Sequence, residues 1–160
     1  MADKKNKTQM ISFGTVARNK KASFNYAIRE TFEAGIILTG PEVKSLRMGR
    51  VSINESYASA EDDGIYLLNA TIQEYGAIGY AQHVAGRPRK LLLRKREISK
   101  LRGAAARKGF TIVPLELYFN ERGLAKVKIG LGVGKTNVDR REDIKKREWD
   151  REKRRLLKNG

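Results

Sequence analysis

The side chains best suited to chemistry in this 160-residue chain form short, separate groups. Gly130-Leu-Gly-Val-Gly134-Lys135-Thr136 ends like a phosphate-binding loop, in which backbone N–H groups and a lysine cradle phosphates. That loop needs a glycine five positions before Gly134, and the residue there is Ile129. The segment reads instead as a glycine hinge. His83 is the only histidine and the chain has no cysteine, so a Cys–His pair and thiolate metal sites are excluded. No serine sits in a nucleophile-elbow pattern. Glu61-Asp62-Asp63 runs into Gly64 and reads as a solvated turn. One histidine and scattered acids do not compose a metal site. No cofactor, metal or catalytic centre is expected, and the chain is read as a non-enzyme.

The stretch Arg87 to Arg96 is different. Six of its ten residues are Arg or Lys, and Leu91, Leu92 and Leu93 sit in the middle. A solvated tail has no use for three leucines, so the charge is mounted on a folded wall. From Gly86 to Lys108 there are ten basic residues against the single acid Glu97. Such a density repels itself unless an anion faces it. The wall, with Arg87, Arg89, Lys90, Arg94 and Lys95, is expected to meet an RNA backbone. Glu33 lies on the polar face of the best-patterned strand. It either pairs with Arg29 or accepts hydrogen bonds from a base or a 2′-hydroxyl. Tyr75, Tyr80 and His83 precede the wall and either stack on bases or pack.

The charge balance points the same way. The net charge is +16 and the pI about 10.2, which argues for a polyanion and, first among polyanions, nucleic acid. The charge is uneven: residues 22–85 are net acidic, while an arm (1–21), the wall and the tail (135–160) are basic. No apolar run approaches the ~20 residues that span a bilayer, and no apolar segment follows the basic start as in a signal peptide. A cytoplasmic protein without a membrane partner is expected.

These groups need a frame. Residues 1–9 are polar and read as a disordered arm. Met10–Val16 is a short edge strand. From Tyr26 to Leu38, alternation puts Tyr26, Ile28, Phe32, Ala34, Ile36 and Leu38 on one face and Arg29, Thr31 and Glu33 on the other. Thr39 and Glu42 have capping-box spacing for a helix ending at Gly49. Residues 53–59 and 65–72 form two strands about the acidic turn. Residues 89–93 read as a strand and 95–108 as a helix. Phe110–Phe119 and Leu124–Val133 pair as a hairpin, with Lys126 and Lys128 on its cationic face. Many short strands with two inserted helices fit a mainly β fold, an oligonucleotide-binding-like antiparallel barrel over 10–134. In the tail, Val138, Trp149 and Leu156 repeat near whole helical turns. Three apolar side chains do not offset the ordering of this segment, so disorder in isolation and a helix on binding are expected.

Asn19-Lys-Lys-Ala22, Glu33-Ala-Gly-Ile36, Glu42-Val-Lys-Ser-Leu-Arg47, Ser56-Tyr57, Arg89-Lys-Leu-Leu-Leu93, Lys126-Val-Lys-Ile-Gly130 and Asp139-Arg-Arg-Glu142 through Trp149 resemble the small protein B family of SsrA-binding proteins. The resemblance covers nearly the whole chain from about residue 11. It implies a non-catalytic, monomeric adaptor that binds the tRNA-like domain of transfer-messenger RNA and delivers it to stalled ribosomes. Glu33, Lys90, Leu92 and position 94 fall on the implied RNA surface. Asp139, Arg140 and Arg141 begin the part of the tail implied to reach the small-subunit decoding site, and Lys135 belongs to the same ribosome-binding tail. Trp149, Leu156 and Leu157 match the part implied to lie in the empty mRNA channel. Arg94 stands where the family usually has Asn or His, which implies a phosphate contact. Val138 replaces a usual aromatic, and Thr136 a usual lysine. Two other readings are weighed: a ribosomal protein threading its ends into ribosomal RNA, and a nucleotide hydrolase acting through Lys135.

Overall fold

A computed structural model describes residues 10–74, 84–107, 109–135 and 137–159. The arm 1–9, Tyr75, Tyr80, His83, Lys108, Thr136 and the side chains of Val138, Asp139 and Arg140 lie outside the described residues.

The expected mainly β barrel is what the chain forms. Six strands close it: β2 (Tyr26–Ile36), β4 (Tyr57–Glu61), β5 (Gly64–Leu68), β7 (Arg89–Leu92), β8 (Phe110–Phe119) and β9 (Ala125–Gly134). Their order is β8-β4-β5-β7-β2-β9, with β9 returning to β8, and their pairings are antiparallel. β1 (Gly14–Arg18) lies against the far half of β8. β3 (Val51–Ser52) and β6 (Thr71–Ile72) form a separate pair. The core holds Phe32, Ala34, Ile65, Leu67, Leu91, Ile112, Leu117, Val127 and Ile129. The expected strands at 53–59 and 65–72 are cut short. Residues 53–56 make a turn, with the Ser56 N–H and hydroxyl donating to the Ile53 carbonyl at 3.1 and 2.6 Å. Asn69, at φ 58°, breaks the other.

The faces of β2 differ from simple alternation. Between Ile28 and Glu30 the register against β9 slips at Arg29, a bulge. It turns Tyr26 and Ile28 to the outer face, beside Thr31 and Glu33. There they lie over glycines: a Cβ on Gly130 would sit 3.0 Å from Ile28 Cγ2 and Leu115 Cδ1, and one on Gly132 3.0 Å from Tyr26 Cβ. Those glycines let side chains close down on the sheet. That is the physical reason for the glycine run, which the sequence reading took as a hinge.

α1 (Ala22–Asn25) precedes β2, and α2 (Gly40–Arg47) follows it. α3 (Lys95–Ala105) buries Leu101 and Ala104 against the core. α4 (Asn137–Asn159) is a helix of 23 residues. Glu142–Lys146, Asp143–Arg147 and Asp150–Arg154 have the favourable acid-before-base order at i, i+4. Its root is also held. The Lys135 N–H donates to the Asn25 carbonyl and its ammonium to the Ser23 carbonyl, both at 2.8 Å, and the ammonium also pairs with Asp143.

A buried ion cluster ties α2 to the strands. Glu42 and Arg89 are each fully buried. Arg89 Nε donates to Glu42 at 2.6 Å, Nη1 to the carbonyls of Ala70 and Arg87 at 2.9 and 3.1 Å, and Nη2 to Ala85 at 3.0 Å. Arg87 donates to the same carboxylate, which also accepts the Thr39 N–H at 2.9 Å. Burial pushes the Glu42 carboxyl up, but hydrogen bonds from Arg87, the Thr39 backbone and Arg89 outweigh it and hold the pKa at about 2 against an ordinary 4.5. The folded pKa is depressed. The stabilisation is therefore complete above pH 4.5 and is lost as pH falls toward 2.

Removing one partner strands the others in the interior. Glu42→Ala should lower stability by about 3–5 kcal/mol, seen as a lower urea midpoint. Glu42→Gln should also flatten the loss of stability between pH 4.5 and 2. A cost below about 1 kcal/mol, the size of a surface pair, would refute the anchoring role.

Candidate nucleic-acid interface

The outer face of the barrel gathers most of the residues picked from sequence. Strand register builds one row across it: Leu92 opposite Gly35, Gly35 opposite Lys126, Lys126 opposite Tyr118, and Tyr118 opposite Thr15. The next row runs Glu33, Lys128, Glu116 and Arg18. Lys90 lies on the same face of β7 as Leu92, two residues earlier, opposite Tyr66. Its stem crosses Gly64, where a Cβ would come within 3.0 Å of Lys90 Cε. Leu92 is 53% exposed. A Cβ on Gly35 would meet Leu92 Cβ at 3.2 Å, so the glycine lets this leucine lie flat over β2.

Thr31, Phe32, Glu33, Glu116, Tyr118 and Lys128 line a hollow of about 410 Å³. The Tyr118 hydroxyl donates to Glu33, and Thr15 Oγ1 to Glu116. Glu33 is thus held by Tyr118, where the sequence reading offered Arg29. Burial, then the hydrogen bond to Glu33, pushes the Tyr118 phenol well above its usual value of 10.0. Lys128 stands between two carboxylates. The surface alternates acceptors, cations and one apolar plate. It suits phosphates at the lysines, a sugar or base edge at Glu33, and a flat apolar group on Leu92.

Two predicted contacts are corrected. Arg89 has no exposed surface, and its guanidinium is spent on Glu42 and three carbonyls. Arg87 is committed to Glu42 and to the Ile37 and Pro88 carbonyls. Arg89 is an interior support, with no surface for RNA; Arg87 is half-buried and engaged with Glu42 in this fold. Arg94 and Lys95 are exposed at the start of α3, directly after β7, where the Arg94 N–H donates to Glu97 at 3.1 Å. Lys135 points inward to Ser23 and Asp143, an arrangement unlike a phosphate-binding loop. Arg141, Trp149, Leu156 and Leu157 are exposed along α4. Sequence reasoning missed Tyr118 and Glu116. Their signal was present: they alternate with the buried Leu117 and Phe119. Among the described residues, no helix is long and apolar enough to cross a membrane.

Comparison with known proteins adds the following. The profile of the SmpB protein family matches residues 16–159. The chain is 56% identical over 144 residues to the SsrA-binding protein of Maricaulis maris, covering 90% of this chain and 92% of that one. It is 51% identical over 150 residues to that of Gluconacetobacter diazotrophicus, covering 94% and 97%. The SsrA-binding protein of a Bradyrhizobium species is 52% identical, covering 99% and 98%. A solved chain described as "tmRNA-SmpB: a journey to the center of the bacterial ribosome" superposes with a TM-score of 0.63. It is 47% identical, and the match covers 79% of this chain and 92% of that one.

The Tyr118–Glu33 bond makes a prediction by itself. In a spectrophotometric titration Tyr118 should ionise above its ordinary 10.0, and Glu33→Gln should bring it down. Because the folded pKa is raised, the bond's contribution to stability holds below pH 10 and is lost as pH rises further. Unchanged titration in Glu33→Gln would show that Glu33 does not hold this phenol.

Proposed function

The chain belongs to the SmpB protein family, and from that membership we propose that it binds transfer-messenger RNA and delivers it to stalled ribosomes. The observation that carries this reading is the outer-face row, in which Glu33, Lys90, Leu92, Lys126 and Lys128 come from three strands onto one surface. In this reading the tRNA-like domain of the RNA lies on that face. Lys90, Lys126, Lys128, Arg94 and Lys95 meet phosphates. Glu33, pre-oriented by Tyr118, accepts from a base or a 2′-hydroxyl, and Leu92 carries an apolar ring or sugar face.

The barrel, residues 10–134, is the RNA-holding unit, and residues 135–160 are the ribosome-probing unit. The exposed Trp149, Leu156 and Leu157 support this division, since the barrel makes no use of them. Asp139, Arg140 and Arg141 are assigned to the decoding site, the rest of α4 to the vacant mRNA channel, and Lys135 roots this ribosome-binding tail on the barrel. The protein acts as an adaptor without chemistry of its own, as a monomer in the cytoplasm.

Two measurements test this. A chain ending at Gly134 should keep its affinity for transfer-messenger RNA and lose tagging of stalled products; normal tagging by it would remove the tail from the mechanism. Lys126→Ala and Lys128→Ala should each lower the salt slope of RNA binding by about 1. Slopes equal to that of the unaltered protein would move the RNA off this face.

A further inference from the structure

The second row of the outer face carries its charges in an order that the fold itself does not use. Glu33 on β2, Lys128 on β9, Glu116 on β8 and Arg18 on β1 are successive cross-strand partners. The first three line the hollow described above. Neighbouring strands lie about 4.8 Å apart, so an acceptor, a cation and a second acceptor follow one another across roughly 10 Å. Opposite charges on facing strands pair readily. Here they do not: among the described residues neither Lys128 nor Arg18 forms an ion pair. Hydroxyls hold the carboxylates instead, Tyr118 donating to Glu33 and Thr15 Oγ1 to Glu116. A carboxylate has about four acceptor sites, so each keeps room for a further donor. Glu33 and Lys128 are exposed and Glu116 is half-buried. All three can meet a partner. Two carboxylates about one ammonium leave the trio net negative, so a phosphate settles there only if it brings hydrogen-bond donors with it.

We propose that Glu33, Lys128 and Glu116 read one ribose–phosphate–ribose step of the RNA strand, with Glu116 as the residue that rejects a 2′-deoxy backbone. RNA presents the complementary order in every step: a 2′-hydroxyl, a phosphate, the next 2′-hydroxyl. The hydroxyls donate to Glu33 and Glu116, and Lys128 meets the phosphate between them. Arg18 stands where the following phosphate would lie. DNA brings the anion without the donors, and its phosphate would sit between two carboxylates with nothing to accept. Attraction at the lysine selects a nucleic acid; repulsion at the unmatched carboxylates selects the ribose form. Thr15 and Tyr118 are positioning residues, whose hydroxyls keep the carboxylates from closing on Lys128. The inference rests on the reading of the outer face as the RNA surface and deepens it: Glu33 takes a 2′-hydroxyl, and Glu116 joins it as a specificity residue.

The test uses the full-length protein at one fixed salt concentration. Its probe is the tRNA-like domain of transfer-messenger RNA, transcribed with a small fraction of 2′-deoxynucleotides at random positions. Bound and free RNA are separated, and the deoxy positions are mapped in each. Wild type should exclude 2′-deoxy at two successive nucleotides, about tenfold at each. Glu116→Ala should keep its melting temperature and lose the exclusion at one of the two; Glu33→Ala should lose it at the other. Thr15→Val, which lets Glu116 close on Lys128, should weaken the same exclusion as Glu116→Ala. Glu116→Gln, whose amide oxygen still accepts, should keep both exclusions and bind a DNA copy of the domain more tightly than wild type does. Both exclusions intact in Glu116→Ala would overturn the proposal and leave the row as surface charge. Should Glu116→Ala melt lower, Glu116→Gln decides: DNA binding no tighter than that of wild type overturns the proposal as well. If wild type binds the all-ribose domain and tolerates 2′-deoxy at every position, only this inference falls. If it fails to bind that domain at all, the adaptor reading falls instead.

Discussion

A carboxylate with no exposed surface sets the geometry of the barrel's outer face. Glu42 sits in the first turn of α2, accepts the Thr39 N–H, and takes both Arg87 and Arg89. Three further donors of Arg89 reach backbone carbonyls, so four of its five N–H groups are hydrogen-bonded. A buried pair is tolerable only when so satisfied. Its value here lies in register. Side chains alternate along a strand, and a slip of one residue would turn every one of them over. With Arg89 fixed inward, Leu91 must also point in, and Lys90 and Leu92 must point out. The interior ion cluster thus decides which residues of β7 face a partner.

The same logic governs the neighbouring strands, with bulges in place of ions. The extra residue Arg29 in β2 exchanges the faces of its two halves. Below the bulge Phe32 and Ala34 fill the core; above it Tyr26 and Ile28 cover the outside. β8 slips likewise between Pro114 and Glu116. Beyond that slip Leu117 and Phe119 enter the core while Glu116 and Tyr118 reach the hollow. Each bulge divides the barrel surface into two parts with different chemistry. One gathers Glu33, Glu116, Tyr118 and Lys128; the other gathers Asn19, Asn25, Tyr26 and Tyr57. Gly130 and Gly132 lie where these parts meet, and they let large side chains rest on the sheet without prising β2 from β9.

Much of this was legible in the chain. The Glu61–Gly64 and Asn120–Gly123 turns, the Thr39–Glu42 helix start and the period-two runs of β2 and β9 all announce local structure, because their signals are local. Glu33, Lys126 and Lys128 could be placed on polar faces for the same reason. What failed needed partners distant in sequence. Arg87 and Arg89 look like their neighbours in a basic run; only Glu42, some 45 residues away, draws them in, Arg89 wholly and Arg87 in part. Counting charge therefore overstates the wall. Lys100 is engaged with Glu30 and Arg102 with the Glu61 carbonyl, each at an exposed site. The bulge at Arg29 is silent in sequence, since the residues on both sides alternate normally. Tyr118 was overlooked because a tyrosine in a strand reads as core until its partner, Glu33, is known.

The tail shows how weakly an element can be attached and still be directed. α4 is about 35 Å long at 1.5 Å per residue. In its first half Asp143 pairs with Lys135, itself held by the Ser23 carbonyl, and Arg147 lies over the Phe24 ring at 5.4 Å. An exposed cation–π contact contributes only about 0.5–1 kcal/mol, whereas ordering a backbone residue costs about 1–2 kcal/mol. Such contacts cannot hold 23 residues by themselves; the helix's own hydrogen bonds and its i, i+4 charge order must carry most of that ordering. What the Lys135 root supplies is direction. It fixes where the helix leaves the barrel, next to α1, and Trp149, Leu156 and Leu157 stay exposed along it. An arm that is aimed yet loosely bound can exchange its few contacts with the body for a larger enclosing surface at small cost. The proposed adaptor, which holds one RNA while testing a second site, calls for an arm of this kind.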